Sequence, residues 1–251
     1  MKPARFVVAV GSGKGGVGKS TVALQLALAL ARRGSRIGVL DGDLYGPDIP
    51  LMVGITRTER ARQWQLWRKG GVRLEPLERH GLGIMSAGFL IGEDQALTIG
   101  APLLSAALTQ LVHDVDWGGR DVLLVDLPPG TADLHQQLLG VVDLDGAVVV
   151  VGPQDVAHLD ARKFVDFVRD AGVRLLGAIE NMSGFVCPHC GERSSIFPRV
   201  SERRSIWAQG VEQLGSIPLD PRLAAVPAEG LALFDDVAAR FVGALEHRPA
   251  A

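Results

Sequence analysis

The chain has 251 residues, 47% of them hydrophobic and 22% charged, with a formal net charge of -2. This length lies at the upper end of what one hydrophobic core supports, and the apolar content excludes a disordered chain. The near-neutral balance gives no general electrostatic pull toward nucleic acid or an anionic membrane, and no apolar run approaches the roughly 18 residues that span a bilayer.

The first apolar run, RFVVAV at 5–10, is too short for a secretory segment and passes straight into a glycine-rich loop, so a cytoplasmic protein is expected. That loop is GSGKGGVGKST at 11–21. Within it Gly13, Lys14, Gly15, Gly16, Val17, Gly18, Lys19 and Ser20 satisfy the phosphate-loop pattern of glycine, four residues, then Gly-Lys-Ser, with Thr21 following. Successive backbone N–H groups wrap a phosphate only where no Cβ collides, which selects glycine. The helix that follows adds its positive dipole end. Lys19 is expected to reach the β and γ phosphates and the Ser20 hydroxyl to ligate Mg²⁺. TVALQLALALARRG at 21–34 is apolar nearly all round and closes on glycine, the pattern of a buried crossover helix.

RIGVLD at 36–41 is the second strand, and LDGDLYGP places Asp41 and Asp43 at its end. Asp43 is assigned to orient the attacking water and Asp41 to support the metal shell, with a turn-capping role as the alternative for one of them. Residues 57–79 carry seven Lys or Arg against three Glu, with Trp64 and Trp67 between them. A solvated excursion with two anchoring aromatics is the simpler reading, a nucleic-acid or partner surface the other. VRLEPLERHGLGIMSAG at 72–88 predicts an antiparallel hairpin inserted after the second strand.

DVLLVD at 121–126 closes on Asp126, the expected carboxylate for a Mg²⁺-bound water opposite Ser20, and the LPPG turn that follows brings Gly130 toward the γ phosphate. GAVVVVG at 146–152 and RLLGAIE at 174–180 complete the strand series. Continuous apolar strands alternating with helices predict an α/β fold: a doubly wound, mainly parallel sheet with helices on both faces, one phosphate-loop domain over residues 1–251. His158, in VAHLDARKF, is expected on a helix surface.

NMSGFVCPHCGE at 181–192 holds both cysteines of the chain, Cys187 and Cys190. In a reducing compartment such a pair binds metal or does redox chemistry sooner than it forms a structural disulfide. A redox dithiol requires a thioredoxin-like fold and a helix amino terminus, which the glycine after Cys190 disfavours. His189 is expected as polar loop surface.

The additional Lys14 in GKGGVGKS makes the chain resemble the deviant Walker A group of P-loop ATPases, a SIMIBI-like set that includes nitrogenase iron protein, MinD and ParA. The resemblance implies a homodimer in which Lys14 reaches the partner's nucleotide. Within that group, SGKGGVGKSTVALQLALALA, LDGDLYGPDIP, GIMSAGFL, WGGRDVLLVDLPPGTAD, PQDVAHLDARK, ENMSGFVCPHCGE and GSIPLDPR resemble the Mrp/ApbC/Nbp35 family of iron-sulfur cluster carrier ATPases. By that resemblance Asp43 is the switch I aspartate and Asp126 the Walker B aspartate. Asn181 contacts adenine with the backbone around Pro218 and Asp220, and slow ATP hydrolysis gates transfer of a cluster to apo iron-sulfur proteins. Three segments depart from the family pattern: DGD replaces Asp-Ala-Asp, TIGAPLL lacks an arginine common there, and FPRVSERRSIWAQG at 197–210 replaces a glycine-rich run.

A [4Fe-4S] cluster or a tetrahedral zinc takes about four ligands, and one chain offers two thiolates. A twofold axis beside Cys187 and Cys190 supplies four. The expected set is therefore ATP, Mg²⁺ and a [4Fe-4S] cluster bridging two subunits, with no nucleic-acid or membrane partner. Two alternatives stay open: a positioning ATPase of the MinD/ParA kind, and a zinc-stapled nucleotide-binding interaction protein. The first calls for a basic amphipathic helix or a DNA-binding patch, and the closing segment LFDDVAARFVGALEHRPAA contains no lysine.

Overall fold

The computed structural model describes residues 2–43, 46–69, 73–90, 101–128, 142–198, 200–224, 226 and 231–247. Gly130 and residues 98–100 of TIGAPLL lie outside the described residues.

Strand β1 (Ala4–Gly11) is central, hydrogen-bonded in parallel to β5 (Arg120–Asp126) on one side and to β6 (Gly146–Val151) on the other. Parallel pairing continues outward to β2 (Ile37–Asp41) and β4 (Leu82–Ser86) on one flank, and to β7 (Leu175–Val186) and β9 (Gln213–Leu219) on the other. Val7, Val8, Val39, Leu124 and Val149 are buried, as strands covered on both faces require.

Helix α1 (Lys19–Arg32) packs against β1, β2, β4, β5 and β6, and also against the closing helix α6 (Asp235–Glu246). Val22 through Leu30 are all buried, which accounts for a helix apolar on nearly every side. A fully buried leucine of this kind stabilises by about 1.5–3 kcal/mol. Helix α5 (Asp155–Asp170) lies against β6 and β7, burying Ala157, His158, Ala161, Phe164, Val165 and Val168. The short α2 (Asp48–Met52) follows β2, and α3 (Arg57–Lys69) opens on a capping box in which Thr56 and Glu59 exchange side-chain and backbone hydrogen bonds. Glu59 also pairs with Arg79 on β3 (Leu77–Arg79), so part of the basic stretch is neutralised within the chain. Helix α4 (Ala101–His113) precedes β5.

Within residues 72–88, β3 and β4 pair antiparallel, turning at His80 and Gly81, both at positive φ, and β4 joins β2 in parallel, which makes the hairpin part of the main sheet. Two differences from the sequence reading stand out. β7 runs six residues past Glu180, the expected end, to Val186. β9 was not anticipated, because QLGSIPL carries Gly215 and Pro218, turn residues in a local reading. β9 pairs only with β7 among the described strands, and such an edge tolerates proline.

The register aligns the strand ends. Asp126 lies beside Val10 of β1 and beside Asp41 of β2, so the carboxyl ends of three strands share one rim with the glycine-rich loop. In open α/β sheets ligands bind at that rim.

Candidate functional site

The loop after β1 is held close to α5. A Cβ built at Gly13 would fall 2.1 Å from the Asp160 carbonyl carbon, and one at Gly18, whose φ is +77°, would fall 2.4 Å from Asn181 Nδ2. Neither position accepts a side chain, and Gly18 is the left-handed residue that opens α1. Ser12, Lys14, Gly15, Gly16, Gly18, Lys19, Ser20, Thr21, Asp43, Asp48 and Met52 line a cavity of about 180 Å³ over the helix start.

Beneath it, Lys19 Nζ donates to Asp126 Oδ1 at 2.6 Å and Ser20 Oγ donates to Asp126 Oδ2 at 2.6 Å. Burial raises the Asp126 carboxyl, opposed by the Lys19 charge. Asp41, in the adjacent register position, is raised well above the usual carboxylate range, first by burial and then by Asp126, against the hydrogen bond it accepts from the Asp43 N–H. Ser86 Oγ also donates to Asp41. Asp43 accepts the Gly46 N–H at 3.1 Å and lines the cavity over the helix start, so it closes the local turn and faces that cavity at once. The Ser20 hydroxyl bonded to Asp126, with Asp41 in the adjacent register position, offers hard oxygen donors, the kind that suits Mg²⁺.

A second cavity of about 230 Å³ adjoins the first through Gly18 and Thr21 and is completed by Asn181, Met182, Pro218, Leu219, Asp220, Pro221 and Leu223. Asn181 is 5% exposed and donates from Nδ2 to the Val17 carbonyl at 2.9 Å, which leaves Oδ1 as its acceptor. Both Asp220 oxygens are bonded by Arg222, which lowers that carboxyl. Neither cavity draws a lining residue from the described residues of 197–210. That segment docks on α5: Arg204 pairs with Asp155, Arg162 donates to the Arg203 carbonyl, and Arg169 donates to the Gln209 carbonyl.

His158, expected on the helix surface, is instead fully buried beneath this segment. Its Nδ1 accepts the Ile206 N–H, its ring meets Trp207 edge-on at 5.8 Å, and Nε2 lies 3.7 Å from Glu180 Oε1. Burial of a helix position depends on what docks over it, and docking is not written in the helix's own sequence.

β7 carries Asn181 to the second cavity and continues to the cysteines. Phe185 and Val186 pair antiparallel with β8 (Arg193–Ser194), and the Cys187 and Glu192 backbones close the turn. Cys187 is partly exposed, Cys190 and His189 exposed. The backbone N–H groups of Cys190 and then His189, together with the Cys190 thiol, hydrogen-bond the Cys187 sulfur and lower its pKa. That arrangement favours a thiolate, the form that binds metal. Cys187 and Cys190 stand as a pair: among the described residues no group of three or more His, Cys, Asp or Glu is arranged to hold a metal ion.

Of the residues expected at a nucleotide site, Lys14, Gly15, Gly16, Gly18, Lys19, Ser20, Thr21 and Asp43 line the first cavity, Asp126 is bonded beneath it to Lys19 and Ser20 with Asp41 in the adjacent register position, and Asn181, Pro218 and Asp220 line the second. Asp48, Met52, Met182, Pro221 and Leu223 line the cavities as well and had no role in the sequence reading. Asp48, just after Gly46-Pro47 and opening a short helix, was the one with a local signal. Met182 has φ +58°, one of two non-glycine residues at positive φ among those described, and a methionine carries no signal for that.

Residues 4–242 match the ParA family model described as NUBPL iron-transfer P-loop NTPase. The chain is 44% identical over 221 residues to the iron-sulfur cluster carrier protein of Aquifex aeolicus, an alignment covering 88% of this chain and 59% of that protein. It is 42% identical over 230 residues to the human cytosolic Fe-S cluster assembly factor NUBP2, covering 90% and 83%. A solved nucleotide-binding protein from Archaeoglobus fulgidus in complex with ADP superimposes with a TM-score of 0.70 at 32% identity, covering 98% of this chain and 90% of that one. The chain thus spans less than two thirds of the Aquifex relative's length. No helix among the described residues is long and apolar enough to cross a membrane.

Proposed function

The chain belongs to the NUBPL iron-transfer P-loop NTPase family, and on that premise we propose that it is an ATP-binding carrier that holds an iron-sulfur cluster between two copies of itself and passes it to apoproteins. The observation that carries this reading is the single strand β7, which presents Asn181 to the nucleotide cavities and, six residues on, opens the exposed thiol turn of Cys187 and Cys190. Two soft donors per chain make half of a cluster site, and a twofold axis makes the whole. The names of the Aquifex and human relatives support the same cargo.

In this reading the backbone of residues 13–18 cradles the phosphates, with Thr21 at the junction of the two cavities and Asn181 Oδ1 accepting the 6-amino group of adenine beside Pro218 and Asp220. Lys19 is shared: a β or γ phosphate competes with Asp126 for its ammonium. Ser20, Asp126 and Asp41 would hold Mg²⁺, which when bound supplies charge neutralisation at the phosphates. Asp43 orients the attacking water, and Lys14 extends toward the partner's nucleotide. Hydrolysis is slow and gates release of the cluster. Tying up Cys187 with backbone N–H groups keeps the thiolate ready for iron without a third protein ligand.

The test is transfer. The anaerobically reconstituted chain is mixed with an apo [4Fe-4S] enzyme, and recovery of the recipient's activity is followed with and without ATP. Recovery that needs Cys187 and Cys190 supports the carrier; no recovery, with the cluster retained, argues for a storage or structural role.

A further inference from the structure

The hairpin that carries the cysteine turn is short, two residue pairs between β7 and β8, and something must fix it relative to the nucleotide cavities. The pairing of β7 with β9 shows what does. From the Asn181–Ile217 pair to the Phe185–Leu219 pair, β7 advances four residues while β9 advances two. The surplus forms a bulge over Met182, Ser183 and Gly184, and bulges re-aim the strand that contains them. Met182 accommodates it at φ +58° and lines the base cavity.

Inside the bulge, Ser183 Oγ donates to the Ile217 carbonyl at 3.1 Å and accepts from Arg193 Nη2 at 3.0 Å. Ile217 precedes Pro218, a wall of the base cavity, and Arg193 sits on the strand that closes the cysteine turn. One hydroxyl is therefore bonded at once to the wall of the nucleotide site and to the return strand of the thiol hairpin. The bond to Ile217 is part-buried and the one from Arg193 is exposed, so the inner bond is the less readily exchanged for water.

We infer that Ser183 is a positioning residue which, through Arg193, sets the orientation of the cysteine turn according to whether the base cavity is filled. Movement of Pro218 and Met182 around a bound purine shifts the Ile217 carbonyl and the bulge together. Ser183 passes that shift to Arg193, and the exposure of Cys187 and Cys190 follows. The inference rests on the reading of the two cavities as a nucleotide site and needs no metal.

The experiment uses the full-length, reduced, metal-free chain. Rates of iodoacetamide alkylation of Cys187 and Cys190 are measured by mass spectrometry with no nucleotide, with ADP and with a non-hydrolysable ATP analogue, while ADP affinity is measured by calorimetry. The expected result is a nucleotide-dependent change in alkylation of at least about fivefold, the lower end of ordinary couplings between sites. Ser183→Ala and Arg193→Ala should lose that change with ADP affinity within about twofold of the starting protein, and Ser183→Thr, which keeps the hydroxyl, should retain it. Arg193 is exposed, so its variant folds even where Ser183→Ala does not. The inference is overturned by wild-type alkylation indifferent to bound ADP, by an undiminished response in Arg193→Ala, or by loss of ADP affinity in both variants, which makes Ser183 a wall of the pocket only. A chain that binds no ADP at all would overturn the nucleotide reading together with the inference. Failure to hold iron would overturn the carrier reading alone.

Discussion

Lys19 Nζ lies 2.6 Å from Asp126 Oδ1, with the two side chains 7% and 0% exposed, so the phosphate-loop lysine and the strand-end carboxylate neutralise each other under the nucleotide cavity. Removing one member of a buried pair leaves the other charge uncompensated, at a cost of about 3–5 kcal/mol. Lys19→Ala is accordingly expected to lower the thermal midpoint as well as to abolish ATP binding, measured by calorimetry and by unfolding. A variant of unchanged stability that still bound ATP would remove Lys19 from both roles. Iron loading at the cysteine turn should survive the substitution.

Asp41 contributes to the pH dependence beside Asp126, whose carboxyl burial also raises. The folded Asp41 carboxyl titrates well above the unfolded value of 3.8, chiefly through burial. Below that value both states are protonated and Asp41 is neutral to stability. As pH rises toward the folded pKa the unfolded chain alone gives up its proton, so stability falls and the penalty remains at higher pH. Asp41→Asn is expected to flatten this fall and to raise the melting temperature of the ligand-free chain at neutral pH, while weakening Mg²⁺-dependent ATP binding. Thermal unfolding followed between about pH 4 and pH 8 decides it, and an Asn variant with the original pH slope would contradict the assignment.

Asn181 ties the base cavity to the phosphate loop through the Val17 carbonyl. On the proposed reading its removal takes away one hydrogen bond to the base, about 1–3 kcal/mol for a buried acceptor, and separately leaves the Val17 carbonyl unpaired at a cost to stability. Asn181→Ala should therefore weaken ADP by roughly tenfold to a hundredfold, whereas Asn181→Asp should weaken adenine nucleotides through loss of the donor to Val17. Calorimetric titration with ADP reads both.

The capping box of α3 is a purely structural test. Hydrogen bonds from the Thr56 backbone, the Thr56 hydroxyl and then Arg79 hold Glu59 at about 2, below its ordinary 4.5. The support that Glu59 gives α3 is present above pH 4.5 and is lost as pH falls toward 2. Thr56→Ala should cost about 1 kcal/mol and leave ADP affinity untouched, since neither Thr56 nor its partners Glu59 and Arg79 line either cavity.

Much of this site was legible in the sequence because its demands are local. Gly13 and Gly18 are glycine for steric reasons that a short motif records, and Asp41 and Asp126 announce themselves by closing apolar strands. What could not be read is what pairing and docking decide. β9 looks like a turn until it finds β7, and β7 extends past Glu180 only because β8 and β9 receive its second half. His158 looks like surface until residues 205–207 cover it. The bulge at Met182 exists only in the mismatch between two strands far apart in sequence.

The central claim is that Cys187 and Cys190 are half of a shared cluster site, and the most direct measurement is anaerobic reconstitution with iron and sulfide. Iron, sulfide and zinc are then counted per chain and the mass of the assembly is determined. The account predicts a dimer with about two irons and two sulfides per chain, both lost in Cys187→Ala and in Cys190→Ala while the fold persists. About half a zinc per chain with no stable iron species, or normal iron in either single-cysteine variant, would contradict it.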